Sequence, residues 1–70
     1  MFSDDGRYLA GLKIQSNKSA SAWVLDTRNG RIVRRKRVPY SDDYEIDWRR
    51  NRFEFRTYGG EKPLAALRPR

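Results

Sequence analysis

A run of basic side chains is the part of this sequence with the clearest capacity for chemistry. Six of the ten residues from 28 to 37 carry a positive charge: Arg28, Arg31, Arg34, Arg35, Lys36 and Arg37. A second basic group follows at Arg49, Arg50 and Arg52. Guanidinium groups bind phosphate and carboxylate groups bidentately, so both segments predict contact with an anionic partner. They would form one larger patch if the fold brought them to the same side.

The residue types that most catalytic sites need are missing. The chain has no Cys and no His, so it lacks a thiol nucleophile, an imidazole base and a Cys/His zinc site. The acid pairs Asp4-Asp5 and Asp42-Asp43 have no third hard ligand at binding spacing, and acids in turns typically accept backbone N–H groups. We therefore expect no enzyme activity, no metal, no cofactor and no small-molecule substrate.

Aromatic residues give two further possibilities for binding. Tyr40, in a turn-like segment, and Tyr58, beside Gly59-Gly60, are candidates for exposed rings that contact a partner. The aromatics that alternate with arginines from Trp48 to Phe55 could stack on the bases of single-stranded nucleic acid. We favour a core role for this second group, because a chain with so few apolar residues needs its large rings inside.

The charge balance restricts the partner. Sixteen basic residues, twelve of them Arg, stand against nine acids, which gives a net charge of +7. Such a charge favours nucleic acid, an anionic membrane or an acidic protein. No apolar run reaches the length of a membrane span, so we expect no membrane association. The absence of Cys fits a cytoplasmic location.

Turn residues recur at short intervals and separate runs rich in β-branched and aromatic residues. The runs cover residues 7–15, 20–27, 31–38, 44–49 and 52–58. This pattern predicts an all-β fold of about five short antiparallel strands in a meander, as a small barrel or a single curved sheet. We expect an antiparallel β domain over residues 1–60. The C-terminal tail, residues 61–70, would be frayed or form one helical turn after its first proline.

The turn at residues 50–51 predicts one hairpin in detail. A two-residue loop there pairs Trp48 with Phe53 and Ile46 with Phe55 on one face. The same register sets charged residues opposite each other, Glu45 with Arg56 and Asp47 with Glu54.

The Asn29-Gly30 sequence predicts a second hairpin with two possible registers. A two-residue loop pairs Leu25 with Arg34, whereas a three-residue loop with Gly30 left-handed pairs Leu25 with Val33. We favour the second register, because it keeps Leu25 and Val33 on one face, with Trp23 beside them. The expected core is Tyr8, Leu12, Ile14, Trp23, Leu25, Val33, Ile46, Trp48, Phe53 and Phe55.

Alternation along the basic run predicts its place in the sheet. Arg34 and Lys36 face one way and Arg35 and Arg37 the other. A strand that is basic on both sides is typical of a sheet edge, where such residues also prevent aggregation.

Three segments resemble a β-propeller blade of the WD-repeat and related families. Residues 2–10 (Phe-Ser-Asp-Asp-Gly-Arg-Tyr-Leu-Ala) resemble the turn that opens a blade, with Asp4 at the usual Pro position. Residues 23–33 (Trp-Val-Leu-Asp-Thr-Arg-Asn-Gly-Arg-Ile-Val) are similar to the third strand and the turn after it. Residues 46–53 repeat the opening turn at a blade-like interval. The resemblance implies about one and a half blades, whereas a closed propeller needs about 4–8.

Two functions of different classes follow from these patterns. The first is a non-enzymatic protein-interaction module that pairs through an exposed edge or open sheet face, with a protein partner or with a second copy as a homo-oligomer. The alternative is binding of RNA or single-stranded DNA through the same basic surface. We favour the first on sequence alone, because a dedicated nucleic-acid surface should separate basic from acidic residues more clearly.

Overall fold

The computed structural model describes residues 1–69, and Arg70 lies outside the described residues. Six strands follow one another: β1 (Tyr8–Ile14), β2 (Ser19–Asp26), β3 (Arg31–Pro39), β4 (Tyr44–Arg49), β5 (Arg52–Thr57) and β6 (Ala65–Leu67). Every pairing is antiparallel between consecutive strands. The expected all-β antiparallel meander is confirmed. No helix in the described chain is long and apolar enough to cross a membrane.

The strands form two sheets. The first sheet has the order β1-β2-β3 and the second sheet the order β4-β5-β6. Neither expected architecture is present in the described residues, since the strands form neither a closed barrel nor one continuous sheet. The two sheets share one core cluster, with members from both. Two packed layers cover each other's apolar faces, which a single sheet of this size would leave open.

The C-terminal tail differs most from expectation. Instead of a helical turn, Ala65–Leu67 forms β6, in which Ala65 pairs with Phe55 and Leu67 pairs with Phe53. Ala65 and Leu67 are buried, whereas Ala66 is exposed. This two-residue alternation fits a strand and lets the tail cover the aromatic strand β5. The β domain therefore continues past residue 60.

The β4–β5 hairpin forms as the sequence predicts. Arg50 and Asn51 both have positive φ, 55° and 59°, which is the type I′ geometry of a two-residue loop. Trp48 pairs with Phe53, and their ring centroids lie 4.7 Å apart. Ile46 and Phe55 form the next pair on that face. Both phenylalanines are fully buried, so the rings expected in the core are there.

The first sheet corrects part of the expected core. Its buried inner face carries small side chains, mainly Ala10, Ala20, Ala22 and Val24. Large rings in one layer need small residues in the facing layer, and the second sheet contributes two buried phenylalanines. The larger β2 residues point the other way, so Trp23 and Leu25 are half-buried outside the core cluster. Ile14 is also wrongly assigned, because it lies at a strand end and is 51 % exposed.

The β2–β3 hairpin follows the favoured register only where Trp23 pairs with Arg35; the predicted three-residue loop and the Leu25–Val33 pairing are wrong. Asp26 pairs with Arg31 across a four-residue loop, and Gly30 has the expected left-handed φ of 72°. Leu25 pairs with Ile32 rather than Val33, and a bulge between Val24 and Leu25 absorbs the extra residue. Val33 therefore packs against the core.

Candidate functional site

Strand β3 lies at an edge of the first sheet. It pairs with β2 alone among the described strands. Only Val38 is buried and Val33 half-buried, while the remaining seven residues are exposed. The prediction that the basic run forms an edge strand is confirmed.

The charged side chains of β3 leave the strand on both sides. Arg34 and Lys36 lie opposite Val24 and Ala22, on the side of the core, yet both are exposed. The second sheet therefore does not cover this part of β3. Arg35 and Arg37 lie opposite Trp23 and Ser21 on the outer face. A ligand that approaches this edge meets positive charge from either side.

The charges of β3 have no acidic partner among residues 1–69. The four ion pairs in this part of the chain are Arg28–Asp26, Arg52–Glu54, Arg56–Asp47 and Arg56–Glu54. The one side-chain hydrogen bond from a β3 cation joins Arg34 Nη1 to its neighbour's carbonyl, Val33 O, at 2.7 Å. The charges of Arg31, Arg34, Arg35, Lys36 and Arg37 are therefore available to a ligand.

Arg28 behaves differently from the other members of the basic run. Its guanidinium contacts both carboxylate oxygens of Asp26, at 3.3 and 3.1 Å. The Arg28 backbone N–H also donates to Asp26, at 2.9 Å. These bonds hold the pKa of the Asp26 carboxyl below its usual range. The charge of Arg28 is therefore offset within the hairpin loop.

Basic and acidic residues are separated along the fold. Residues 1–41, which include the first sheet and the N-terminal segment bridged to β1, contain nine basic residues and three acids, Asp4, Asp5 and Asp26. Residues 42–69, which include the second sheet, contain six basic residues and six acids. The excess positive charge therefore belongs to the first sheet, a separation that appears only once the chain is divided into its two layers.

Arg52 and Glu54 lie in an ion-pair network on the outer face of the second sheet. Arg52 Nε and Nη2 donate to Glu54 at 3.0 and 2.9 Å. Arg56 contacts Glu54 and also Asp47, whose carboxylate lies 3.7 Å from Arg56 Nε. This shared arginine relieves the unfavourable Asp47–Glu54 pairing. Glu54 is 4 % exposed, and the hydrogen bonds from Arg52 lower the pKa of its carboxyl.

The structure does not join Arg49, Arg50 and Arg52 to the outer-face cations of β3. Arg49 and Arg52 pair with each other in the second sheet, so they face the opposite side of the molecule from Arg35 and Arg37. Arg50 and Asn51 form the hairpin turn. Asn51 lines a cavity of about 360 Å³ with Tyr8 and Arg68, close to where β1 begins.

Both candidate tyrosines are exposed, as expected, and both hydrogen-bond to the Asp42-Asp43 turn. Tyr58 is 74 % exposed, and its backbone N–H donates to Asp43 O at 2.7 Å. Tyr40 donates its hydroxyl to Asp42 at 2.7 Å, which raises the pKa of Tyr40.

The two acid pairs serve turns. Asp5 Oδ1 accepts hydrogen bonds from Ser3 Oγ at 2.8 Å and from the Arg7 backbone N–H at 3.0 Å. The Arg7 bond is the main reason that the pKa of Asp5 is lowered. Asp43 accepts from Ser41 Oγ at 2.7 Å. No group of three potential metal ligands occurs within residues 1–69.

Sequence reasoning missed one feature of this surface, a groove on the outer face of the first sheet. The groove has a volume of about 250 Å³. It is lined by Lys13, Gln15, Ser21, Trp23, Ile32 and Arg35. The signal was Gly11, a glycine within a strand, which often marks a close approach by a neighbouring group. The sequence did not show which residue approaches Gly11. The β1–β2 register identifies it as Trp23, which lies directly opposite Gly11.

Comparison of the chain with models of protein families, with curated proteins and with solved structures finds no match. The resemblance to a propeller blade stays a prediction.

Proposed function

We propose that this chain is a non-enzymatic binding domain that holds nucleic acid through the basic surface of its first sheet. The observation that carries the proposal is the separation of charge, with nine basic residues and three acids in residues 1–41. Of these acids, Asp26 is paired with Arg28 and Asp5 bonds within the turn before β1. Phosphate contacts supply most of the affinity in sequence-independent nucleic-acid binding, and a surface with few competing acids suits them.

The arrangement of β3 supports this choice of ligand. Residues on the same side of a strand are about 7 Å apart, so Arg35 and Arg37 form a row along the outer face, and Arg34 and Lys36 form another on the opposite side. Such rows can follow a sugar–phosphate backbone. Arginine fits phosphate oxygens bidentately, and four of the five free cations of β3 are arginines.

A protein-interaction module is the second candidate. One observation favours it: Leu9, Leu25 and Ile32 form an apolar row across the outer face of the first sheet, and the free edge of β3 could accept another strand. A second copy on this surface would bring two sets of unpaired cations together, and like charges across an interface are costly. An anionic ligand avoids that repulsion. The rows of β3 cations suit the regular spacing of phosphates along a strand, so we rank nucleic acid above an acidic protein.

Titration with a labelled 20-nucleotide single strand at increasing salt tests the proposal. We expect binding at micromolar protein in low salt. The logarithm of affinity should fall with the logarithm of salt with a slope of about −3.5 if all five β3 cations contact phosphates, because each contact contributes about −0.7.

Absence of binding at micromolar protein in low salt would reject nucleic acid as the ligand. Sedimentation of the protein alone addresses the second candidate. A mass that rises with concentration supports self-association, and a monomer at every concentration argues against it.

A further inference from the structure

We infer that Trp23 is a stacking platform for one base of a single-stranded nucleic acid, an inference that rests on the proposed function. The outer face of the first sheet presents this indole beside the free cations of β3. A phosphate backbone held along β3 would then turn a base inward onto the ring. The proposal names a contact to the base, whereas the proposed function needs phosphate contacts alone.

The position of the ring follows from Gly11. A Cβ built on Gly11 would lie 2.3 Å from Trp23 Cζ2 and 2.8 Å from both Cε2 and Cη2. The two flanking atoms are only slightly farther away than the central one, as they are when a ring lies flat over the position. An edge-on ring would put both flanking atoms much farther away. The indole therefore rests one face on the Gly11 backbone and turns its other face away from the sheet.

The neighbours of the ring suit a nucleotide. Arg35 lies directly opposite Trp23 across the β2–β3 ladder, where side chains on one face have Cβ atoms about 4.5–5.5 Å apart. Lys13 lies on the same face, one row away, and lines the groove beside the ring with Ile32. A base stacked on the indole would thus have a cation on either side to hold its phosphates.

Charge complementarity selects this ligand over an apolar peptide. The outer face carries three cations, Lys13, Arg35 and Arg37, and the described part of this face bears no acid. Stacking on an aromatic ring accepts any base. The bases of a duplex are already stacked on each other, so a duplex should gain nothing from Trp23.

A comparison of intact and abasic oligonucleotides tests the inference. We expect the protein to bind a ten-nucleotide thymidine strand more tightly than an abasic strand of equal length and charge. Trp23→Leu should weaken binding of the thymidine strand between about fivefold and a hundredfold, the range of one base–aromatic stack. The same variant should leave the affinity for the abasic strand unchanged.

Gly11→Ala is an independent second variant. The added methyl group would occupy the place of the indole, so the ring must move off the strand although Trp23 itself is retained. This variant should lose the preference for the thymidine strand as Trp23→Leu does. Tyr58→Leu is the matched control, because it removes an exposed ring that follows β5, outside the first sheet, and it should change neither affinity. Circular dichroism and thermal melting confirm that each variant is folded.

The outcomes separate the inference from the proposed function. Equal binding of thymidine and abasic strands by the native chain would overturn stacking and leave phosphate binding intact. Loss of both affinities to the same degree in Trp23→Leu would show that the ring only covers Gly11, which also overturns it. Binding of neither strand would reject both proposals. Tighter binding of an acidic peptide such as polyglutamate would favour the protein-interaction module instead.

Discussion

The outer faces of the two sheets carry arginines in opposite circumstances. On the second sheet, Arg52 and Arg56 surround Glu54 and bury it almost completely. On the first sheet, Arg35 and Arg37 have no acidic partner within residues 1–69 and stand beside an indole. The same residue type therefore stabilises one layer and leaves charge available on the other. Counting arginines in a sequence cannot distinguish these uses, whereas the position of the acids can.

The two sheets also differ in the side chains that their central strands present on the outer face. The central strand of the second sheet, β5, presents Glu54 outward and its phenylalanines inward. The central strand of the first sheet, β2, presents Trp23 outward and alanines inward. One layer gives its large side chains to the core, and the facing layer makes room for them. That division places a large aromatic ring on the basic outer face of the first sheet.

Removal of the shared core should have the largest effect, because both faces depend on it. Phe55→Ala deletes a fully buried ring, and such changes cost about 3–5 kcal/mol. That is comparable to the whole stability of about 3–5 kcal/mol that one core supplies at this size. We expect loss of the cooperative thermal transition measured by circular dichroism. Ile14 was expected in the core but is exposed. Ile14→Ala should therefore change the free energy of unfolding by less than about 0.5 kcal/mol. Equal effects would contradict the described core.

The acid sensitivity of the second sheet should depend on Glu54. The hydrogen bonds from Arg52 hold the pKa of this carboxyl below its ordinary value of 4.5. The folded state therefore releases this proton more readily than the unfolded chain does. The stabilisation is complete above about pH 4.5 and is lost as the pH falls through the lowered folded pKa.

Glu54→Gln should accordingly melt at a lower temperature at neutral pH and lose less stability than the native chain between pH 5 and pH 3. Glu45→Gln is the matched control, because Glu45 is exposed and the ion pairs within residues 1–69 do not include it. Thermal melts across this pH range measure both. An acid response in Glu54→Gln as steep as the native one would refute a stabilising role for the network.

Neutralising the outer-face cations of the first sheet should change binding and leave stability nearly unaltered. Arg35→Gln with Arg37→Gln removes two free charges and should make the salt slope of oligonucleotide binding shallower by about 1.4, at about 0.7 for each phosphate contact. The melting temperature should stay close to native, because exposed substitutions usually change stability by less than about 0.5 kcal/mol.

The matched control removes the same charge elsewhere. Arg49→Gln with Lys62→Gln also lowers the net charge by two, at exposed positions outside the first sheet. We expect this pair to leave the salt slope nearly native. Identical slopes for the two double variants would mean that net charge, rather than the basic face of the first sheet, controls the binding.

Local patterns predicted much of this fold. Arg50 and Asn51 both adopt positive φ, so the turn itself fixed the register that buries Phe53 and Phe55. Alternation along the basic run placed β3 at an edge. The strand state of Ala65–Leu67 was not evident from the sequence, because a strand of three residues gains its stability from the strand it pairs with, here β5, rather than from its own residues.

The candidate site was predictable in part. The basic residues of β3 are exposed, as expected, and Tyr40 and Tyr58 are exposed too. Trp23 was assigned to the core because β2 carries apolar residues on both faces, and alternation alone cannot say which face is buried. The second sheet decided this, since its phenylalanines need the small side chains of the facing layer.

The sequence by itself determined five of the six strands, the β4–β5 hairpin turn and the excess of positive charge, because these depend on neighbouring residues and on composition. The structure was needed to show which arginines acids neutralise and which side of β2 faces inward. The ion pairs form within each sheet, mostly between residues two positions apart. The inward side of β2 depends on how the two sheets pack, and therefore on contacts between residues far apart in the chain. For this reason the free cations of β3 and the indole of Trp23 emerge as one surface only in the folded molecule.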